Sequence, residues 1–299
     1  MTFAHLPATI HLGDLEVRRL GFGAMQLPGP GVWGLPADPA RARDVLRRAV
    51  ELGINLFDTS WYYGPLVSNQ LIAETLYPYP SHLVIATKLG GMRNPDSTWG
   101  NALRPEQLRE GCETDLRTLR REQIDLVHLR WTRGAEVPFR EALDAMIALK
   151  AEGKIRHLGV SNVTMPQLED ALARTPVVSV ENLYNVAAGP RRLAHLAQAV
   201  VADEAEILAR CEARGIAFLP FYSLAIPYAE PLASPAVASI AARRGVTQAQ
   251  VAIAWQLARS PVILPIPGTS SLAHLHDNWA ARAIALDADE VAAITAARA

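Results

Sequence analysis

Short apolar runs alternate with amphipathic stretches along most of the chain, and the spacing of the apolar positions changes at each alternation. Eight runs read as strands covered on both faces: residues 20–24, 55–58, 83–88, 124–130, 157–161, 177–184, 216–221 and 262–267. Strands of a parallel sheet wrapped by helices have this near-continuous apolar character. Between them the apolar positions recur at helical spacing. Asp38 caps a stretch over 38–52, with Pro39 at its first position and Gly53 after its end. Pro105 opens the stretch 104–119, Gly153 ends 139–152, Thr-Met-Pro opens 164–173, and Gly215 ends 202–214. Stretches 235–244 and 248–257 form a pair, and 271–281 follows the last strand. Alternation around Gly13-Asp14 over residues 10–18 predicts a hairpin ahead of the first strand. Eight β/α units predict an α/β fold, a (β/α)8 TIM barrel, with an N-terminal β-hairpin and an extra C-terminal helix over 287–297. No linker composition interrupts residues 1–299, so one domain is expected.

Three connections are long enough to build a site. They are the Pro/Gly-rich segment 27–36, where Trp33 is placed to cover the barrel mouth, and segments 185–203 and 222–235. All follow strands, the end of the barrel where chemistry is done. Composition narrows the partners. Half of the 299 residues are hydrophobic, enough for a full core, and the net charge of −1 offers no basic field to nucleic acid or an anionic membrane. Cys112 and Cys211 have no metal-ligand spacing and read as reduced thiols, so no metal is expected. The first residues carry no basic segment ahead of an apolar run, and no stretch approaches the roughly 20 apolar residues of a membrane span. A cytoplasmic protein with no membrane partner is expected, as a monomer or weak homo-oligomer.

The chemistry sits where apolar runs end in ionisable residues. One run continues into Asp58-Thr59-Ser60-Trp61-Tyr62-Tyr63-Gly64, and a short helix later another ends in Ala86-Thr87-Lys88. A carboxylate, a phenol and an ammonium on neighbouring strand ends form a proton-transfer unit. The ammonium acidifies the phenol and the carboxylate holds the ammonium. Taken singly, each residue also fits a buried ion pair or a loop tyrosine.

With Gly21-Phe22-Gly23, the Asp58 to Tyr63-Gly64 spacing, Ala86-Thr87-Lys88, Gly159-Val160-Ser161-Asn162 and Ile266-Pro267-Gly268-Thr269 in order along the chain, the sequence resembles the aldo-keto reductase family. Within it the chain is most similar to the bacterial pyridoxal-reductase-like branch, through residues 21–27, Asn69-Gln70, Leu129-Arg130 and residues 267–271. The resemblance implies NADP(H)-dependent reduction of a small-molecule carbonyl to an alcohol, with Tyr63 as general acid and pyridoxal as a candidate substrate. It also implies a cofactor cradle. Gly23, Ala24 and Met25 line its start, and Ser161, Asn162 and Glu181 meet the carboxamide. Phe221 stacks on the nicotinamide ring. Tyr222, Ser223, Leu224 and the Pro267-Gly268-Thr269-Ser270-Ser271 turn meet the phosphates, and His274 and Asn278 the adenosine end. The last turn precedes a helix, whose free N–H groups suit an anion. No Lys or Arg lies within 269–274 to clamp a 2′-phosphate, so NAD(H) stays open beside NADP(H).

Two positions depart from the family pattern. Its histidine on the fourth strand is replaced by Arg130, while His128 lies two residues earlier on the same face and reads as a hydrogen-bonded core residue. Its usual glutamine on the sixth strand is matched here by Glu181. Arg130 is always charged and offers a planar fork, which suits a substrate with an anionic oxygen beside its carbonyl and would depress the pKa of Tyr63. Trp33, Trp61, Tyr62, Trp99 and Trp131 fall after strands and are expected to line the pocket, with Trp255 and Trp279 in the core. Three rival readings remain: a sugar or natural-product ketoreductase, a Schiff-base aldolase using Lys88, and a nicotinamide-binding module without turnover.

Overall fold

The computed structural model describes residues 7–132, 134–186, 204–224 and 234–298. Strands β1 (Thr9–Leu12) and β2 (Leu15–Arg18) pair antiparallel around Gly13, which takes the positive φ the turn requires (67°). The staves β3 (Phe22–Gly23), β4 (Leu56–Asp58) and β5 (Val84–Leu89) follow. A small antiparallel pair, β6 (Gly91–Arg93) and β7 (Trp99–Asn101), rises from the end of β5. Then come β8 (Ile124–Arg130), β9 (Ile155–Ser161), β10 (Val177–Leu183) and β11 (Ala217–Phe221). The seven staves form one parallel sheet in the order β11-β10-β9-β8-β5-β4-β3.

The expected eighth strand closes the ring without becoming a regular strand. Residues 262–268 make single bridges, Phe218 to Ile263 on one side and Gly23 to Gly268 on the other. Gly21 and Gly23 donate to the carbonyls of Pro265 and Pro267 at 2.9 and 3.4 Å. Those prolines have no N–H to return, so the ladder stays incomplete.

Ten helices of the described residues pack outside: α1 (Pro39–Glu51), α2 (Val67–Leu76), α3 (Pro105–Thr118), α4 (Phe139–Ala151), α5 (Met165–Arg174), α6 (Glu204–Arg214), α7 (Pro235–Arg244), α8 (Gln248–Arg259), α9 (Leu272–Ala280) and α10 (Ala288–Ala296). Their starts follow the capping chemistry of the sequence. Asp38 accepts from the Arg41 N–H at 3.0 Å, and Thr247 with Gln250 and Asp287 with Glu290 form reciprocal boxes. The long connections 185–203 and 222–235 lie outside the described residues over 187–203 and 225–233.

Period-two alternation sorts the barrel interior by height. Leu56, Val84, Ala86, Leu126, Ala217, Leu219, Leu264 and Ile266 form an inner apolar cluster, and Leu12 and Val17 of the hairpin close it from below. Two residues further along their staves, the inward positions become polar: Asp58 on β4, Lys88 on β5, His128 then Arg130 on β8, and Ser179 then Glu181 on β10. A second cluster fills the space between sheet and helices, with Trp255 fully buried and stacked on Tyr184 at 5.3 Å. Trp279, expected in the core, is only partly buried against it.

Candidate active site

The sheet register places the ionisable residues on adjoining staves. Asp58 lies beside Ala86 across β4 and β5, Lys88 beside His128, Arg130 beside Ser161, and Ser161 beside Glu181. Lys88 Nζ donates to Asp58 Oδ2 at 2.5 Å and to the Thr59 carbonyl at 3.3 Å. It lies 5.3 Å from the centroid of the Tyr63 ring. Asp58, Tyr63 and Lys88 are all buried, at 3, 7 and 3 % exposure. The three expected residues are therefore one unit, at the polar end of the lumen.

Their electrostatics correct one expectation. Burial opposes the Lys88 charge, but the carboxylates of Asp58 and Glu181 outweigh it and hold the ammonium well above its ordinary value. An amine kept charged is no nucleophile, which disfavours the Schiff-base reading. Burial draws the Asp58 carboxyl upward, against the pull of Lys88. The Tyr63 phenol was expected to be acidified. Burial instead raises it well above its ordinary value, and Lys88 only opposes that rise. Tyr63 therefore keeps its proton at neutral pH, the state a proton donor must start from.

Glu181, expected to meet the cofactor carboxamide, lies between Lys88 and His128. It is 1 % exposed, with Oε1 3.5 Å from Lys88 Nζ and Oε2 3.4 Å from His128 Nδ1. Its carboxyl is raised to about 8, first by burial and then by the Asp58 charge. His128 is the buried, hydrogen-bonded residue the alternation predicted. Its Nε2 lies 2.8 Å from Ser179 Oγ, and burial lowers it to about 3, so the ring is neutral. Gly159 makes room for that ring: a Cβ there would sit 2.4 Å from His128 Cδ2. Arg130 is half-buried above it, with Cζ 5.8 Å from the Phe221 ring centroid. Burial works against its charge, and Tyr62, Tyr222, Tyr63 and Glu181 more than restore it.

The five pocket aromatics divide. Tyr62, 1 % exposed, meets the rings of Tyr63 and Trp99 edge-on at 5.3 and 6.2 Å. Trp99 belongs to β7 and not to a loop as expected. Arg93 joins Trp99 to Trp33, its Cζ 4.1 and 5.2 Å from the two rings. Arg93 also donates to the carbonyls of Gly31, Val32 and Ser97, at 3.1, 2.9 and 2.6 Å. The Trp33 segment is thus tied to the β6–β7 pair. Trp61 lies edge-on to Tyr62 at 5.9 Å, and Trp131 packs toward α4. Trp61 lies where a Cβ on Gly111 of α3 would touch it, and Trp131 lies edge-on against Phe139 of α4 at 5.3 Å.

The residues assigned to a nicotinamide dinucleotide occupy consecutive staves around the same rim. Ser161 is buried and its Oγ has no hydrogen-bond partner among the described residues, so a polar ligand group at the top of β9 has a waiting partner. Asn162 takes a positive φ (59°) and donates to the Trp131 carbonyl at 2.7 Å. Phe221 and Tyr222 are half-buried, and the Ser223 hydroxyl is spent on the Pro220 carbonyl at 2.7 Å. Leu224 packs against the core and Met25 is half-buried beside buried Ala24. Gly23 and Gly268 face each other so closely that a Cβ on Gly23 would lie 2.5 Å from the Ile266 carbonyl oxygen. Thr269 Oγ1 accepts from the Ser271 N–H at 3.0 Å, and Ser271 caps α9 through His274 N–H at 3.5 Å. Ser270 and His274 are exposed, while Asn278 is buried. An unpartnered Ser161, a close glycine pair and a capped helix start fit the proposed group.

Sequence reasoning missed the support beneath this site. Thr59 Oγ1 donates to Asn69 Oδ1 at 2.8 Å, and Asn69 Nδ2 to Asp115 Oδ1 at 2.7 Å. Thr87 Oγ1 donates to Asp115 Oδ2 at 2.7 Å. Thr59 and Thr87 are the neighbours of Asp58 and Lys88 and point outward. The network therefore ties both site strands to α2 and α3. The available signal was a pair of polar residues, Asn69 and Asp115, within otherwise apolar helix faces.

The model of the aldo/keto reductase family matches residues 19–299. Pyridoxine 4-dehydrogenase of Escherichia coli (strain K12) is 43 % identical over 283 residues, covering 93 % of this chain and 94 % of that protein. An oxidoreductase of Schizosaccharomyces pombe is 39 % identical, covering 94 % of this chain and 87 % of its own. Among solved structures, a thermostable aldo-keto reductase determined with the inhibitor epalrestat superposes with a TM-score of 0.79 at 25 % identity, covering 97 % of this chain and 99 % of that one.

Proposed function

The chain belongs to the aldo/keto reductase family, and we propose that it reduces an aldehyde to an alcohol with NADPH, pyridoxal to pyridoxine being the reaction that fits best. The observation that carries this reading is the buried ammonium of Lys88, set between Asp58 Oδ2 and the Tyr63 ring.

When bound, the dinucleotide supplies the hydride. Gly23, Ser161, Asn162, Phe221 and the Thr269–Ser271 turn would hold it. The chain's own residues do the rest. Tyr63 holds a proton at the rim and passes it to the carbonyl oxygen as negative charge develops there. Lys88 makes the phenol easier to ionise than burial alone would allow, and Asp58 keeps Lys88 in place. Tyr62 and the Trp99–Arg93–Trp33 stack exclude water from the mouth and present an aromatic wall to a flat substrate. Arg130 faces the same space and pairs with an anionic oxygen beside the aldehyde. Pyridoxal carries such an oxygen, and the Escherichia coli relative is a dehydrogenase of the corresponding alcohol, pyridoxine. We read the protein as acting in the cytoplasm, as a monomer or weak homo-oligomer.

The test is a panel of aldehydes and ketones, pyridoxal included, assayed with NADPH and with NADH. Tyr63→Phe should lower kcat by about 10²–10⁴ and leave the Kd of NADPH within a few fold, the usual loss for a general acid. Failure of every carbonyl with both cofactors would reject the reading.

A further inference from the structure

Lys88 has two carboxylates and not one. Asp58 Oδ2 is 2.5 Å from Nζ and Glu181 Oε1 is 3.5 Å from it, and both acids are almost fully buried. The third neighbour, His128, is neutral and brings no balancing charge. Among the described residues, one oxygen of each acid, Asp58 Oδ1 and Glu181 Oε2, lacks a hydrogen-bond partner, and so does His128 Nδ1. Two of these unpartnered atoms face each other at 3.4 Å, Glu181 Oε2 and His128 Nδ1. When Ser179 Oγ accepts from Nε2–H, both are bare acceptors. A single proton on Glu181 Oε2 turns that contact into an O–H···N hydrogen bond and satisfies both. Asp58 holds the short contact with the ammonium, so the ionised acid is Asp58 and the protonated one Glu181. Two carboxyl groups this close in a dry site do not both ionise freely.

We propose that Glu181 carries a proton in the working enzyme and that its loss, acting through Lys88, sets the alkaline limit of carbonyl reduction. This rests on the function proposed above. Among the described residues, the groups facing Glu181 are Asp58 from β4, Tyr62 and Tyr63 from the turn after it, Lys88 from β5, and His128 and Arg130 from β8. The nearest residues of β9 and β11, Ser161 and Leu219, do not titrate in the working range. Lys88 and Arg130 both favour the ionised acid, which brings its titration within reach, at about 8. Once ionised, Glu181 draws on the same ammonium that serves Tyr63 and adds a negative charge near the phenol. Tyr63 becomes the weaker acid and proton delivery slows. Ser179 lets the network follow: its hydroxyl can turn to donate to Nε2, leaving Nδ1–H to face the carboxylate. Glu181 is thus a positioning residue that works through Lys88.

Two measurements test this. In wild type, kcat/KM for an aldehyde with NADPH should fall about tenfold per pH unit above about 8. In Glu181→Gln, whatever its amplitude, that limb should move up by at least about one pH unit. Infrared difference spectra of the protein without substrate, between about pH 6 and about pH 10, should show two protonated-carboxyl C=O bands lost on alkalinisation, one from Asp115 that persists in Glu181→Gln and one from Glu181 that is absent from that variant. An unmoved limb in the variant, or identical carboxyl bands in wild type and Glu181→Gln, would overturn the proposal. The infrared arm needs no turnover, so it stands even if no carbonyl proves to be a substrate. An unmoved limb with active enzyme would sink this inference alone.

Discussion

Replacing Asp115 by Asn tests how the scaffold under the site is balanced. Asp115 is fully buried between α3, α2 and β5, accepting from Asn69 and from Thr87. Burial, the largest influence, raises its carboxyl from the ordinary 3.8 to about 7, against the hydrogen bonds from Thr87 and Asn69. Between those two values the folded protein keeps a proton that the unfolded chain has released. The unfolded state binds fewer protons there, so stability falls as pH rises. The slope is about 1.4 kcal/mol per pH unit for one group, and the whole effect is about 4 kcal/mol, complete above about pH 8. Asn at this position still accepts from Asn69 and can donate to the Thr87 hydroxyl, but it does not titrate. The variant and wild type should be compared by urea unfolding at a series of pH values, followed by tryptophan fluorescence. The stability difference, variant minus wild type, should grow by about 1.4 kcal/mol per unit from about pH 5 to about pH 7 and then level off. Lost or altered hydrogen bonds shift the whole curve without changing its slope. A difference that stays flat within about 0.5 kcal/mol over that range would refute the burial argument.

Further outcomes follow from single contacts. Gly159→Ala should destabilise the barrel by at least about 1–3 kcal/mol, since the added methyl meets His128 and Ser179 Oγ at 2.4 and 2.6 Å; thermal unfolding checks this. Arg93→Leu cuts the Trp33 segment loose from the β6–β7 pair and leaves the Gly31, Val32 and Ser97 carbonyls without their side-chain donor, so KM for an aromatic aldehyde should rise about tenfold and Tm should fall, read by steady-state kinetics and calorimetry. Arg130→Leu should lose at least about tenfold more kcat/KM on pyridoxal than on benzaldehyde, the cost of an unpaired phenolate. Equal losses would show that Arg130 does not read that oxygen.

The staves were legible because each is a continuous apolar run bounded by turn residues, and the capped helices because Asp38, Thr164 and Asp287 stand where a helix start needs an acceptor. The β6–β7 pair was not legible. Gly91-Met92-Arg93 and Trp99-Gly100-Asn101 are three residues each and rich in glycine, too short for any period to emerge. The eighth stave had the right apolar content, but Pro265 and Pro267 withhold the donors that would have made it regular. Within the site, Asp58, Tyr63 and Lys88 could be found because their order along the chain matches their order around the rim.

The role of Glu181 could not be found that way, and the reason is geometric. A residue type and a strand number say which stave carries a side chain. They do not say which groups meet it across the lumen. In sheet order β10 is separated from β4 by β9, β8 and β5, yet Glu181 and Asp58 converge on one ammonium because the sheet is rolled. The aligned position suggested an acceptor for a cofactor amide. The closed barrel also sets its two oxygens 3.5 Å from Lys88 Nζ and 3.4 Å from His128 Nδ1. A carboxylate in that place changes the charge on the proton donor's own support, which a glutamine would leave unaltered. The substitution at residue 181 therefore bears on when the site can deliver a proton.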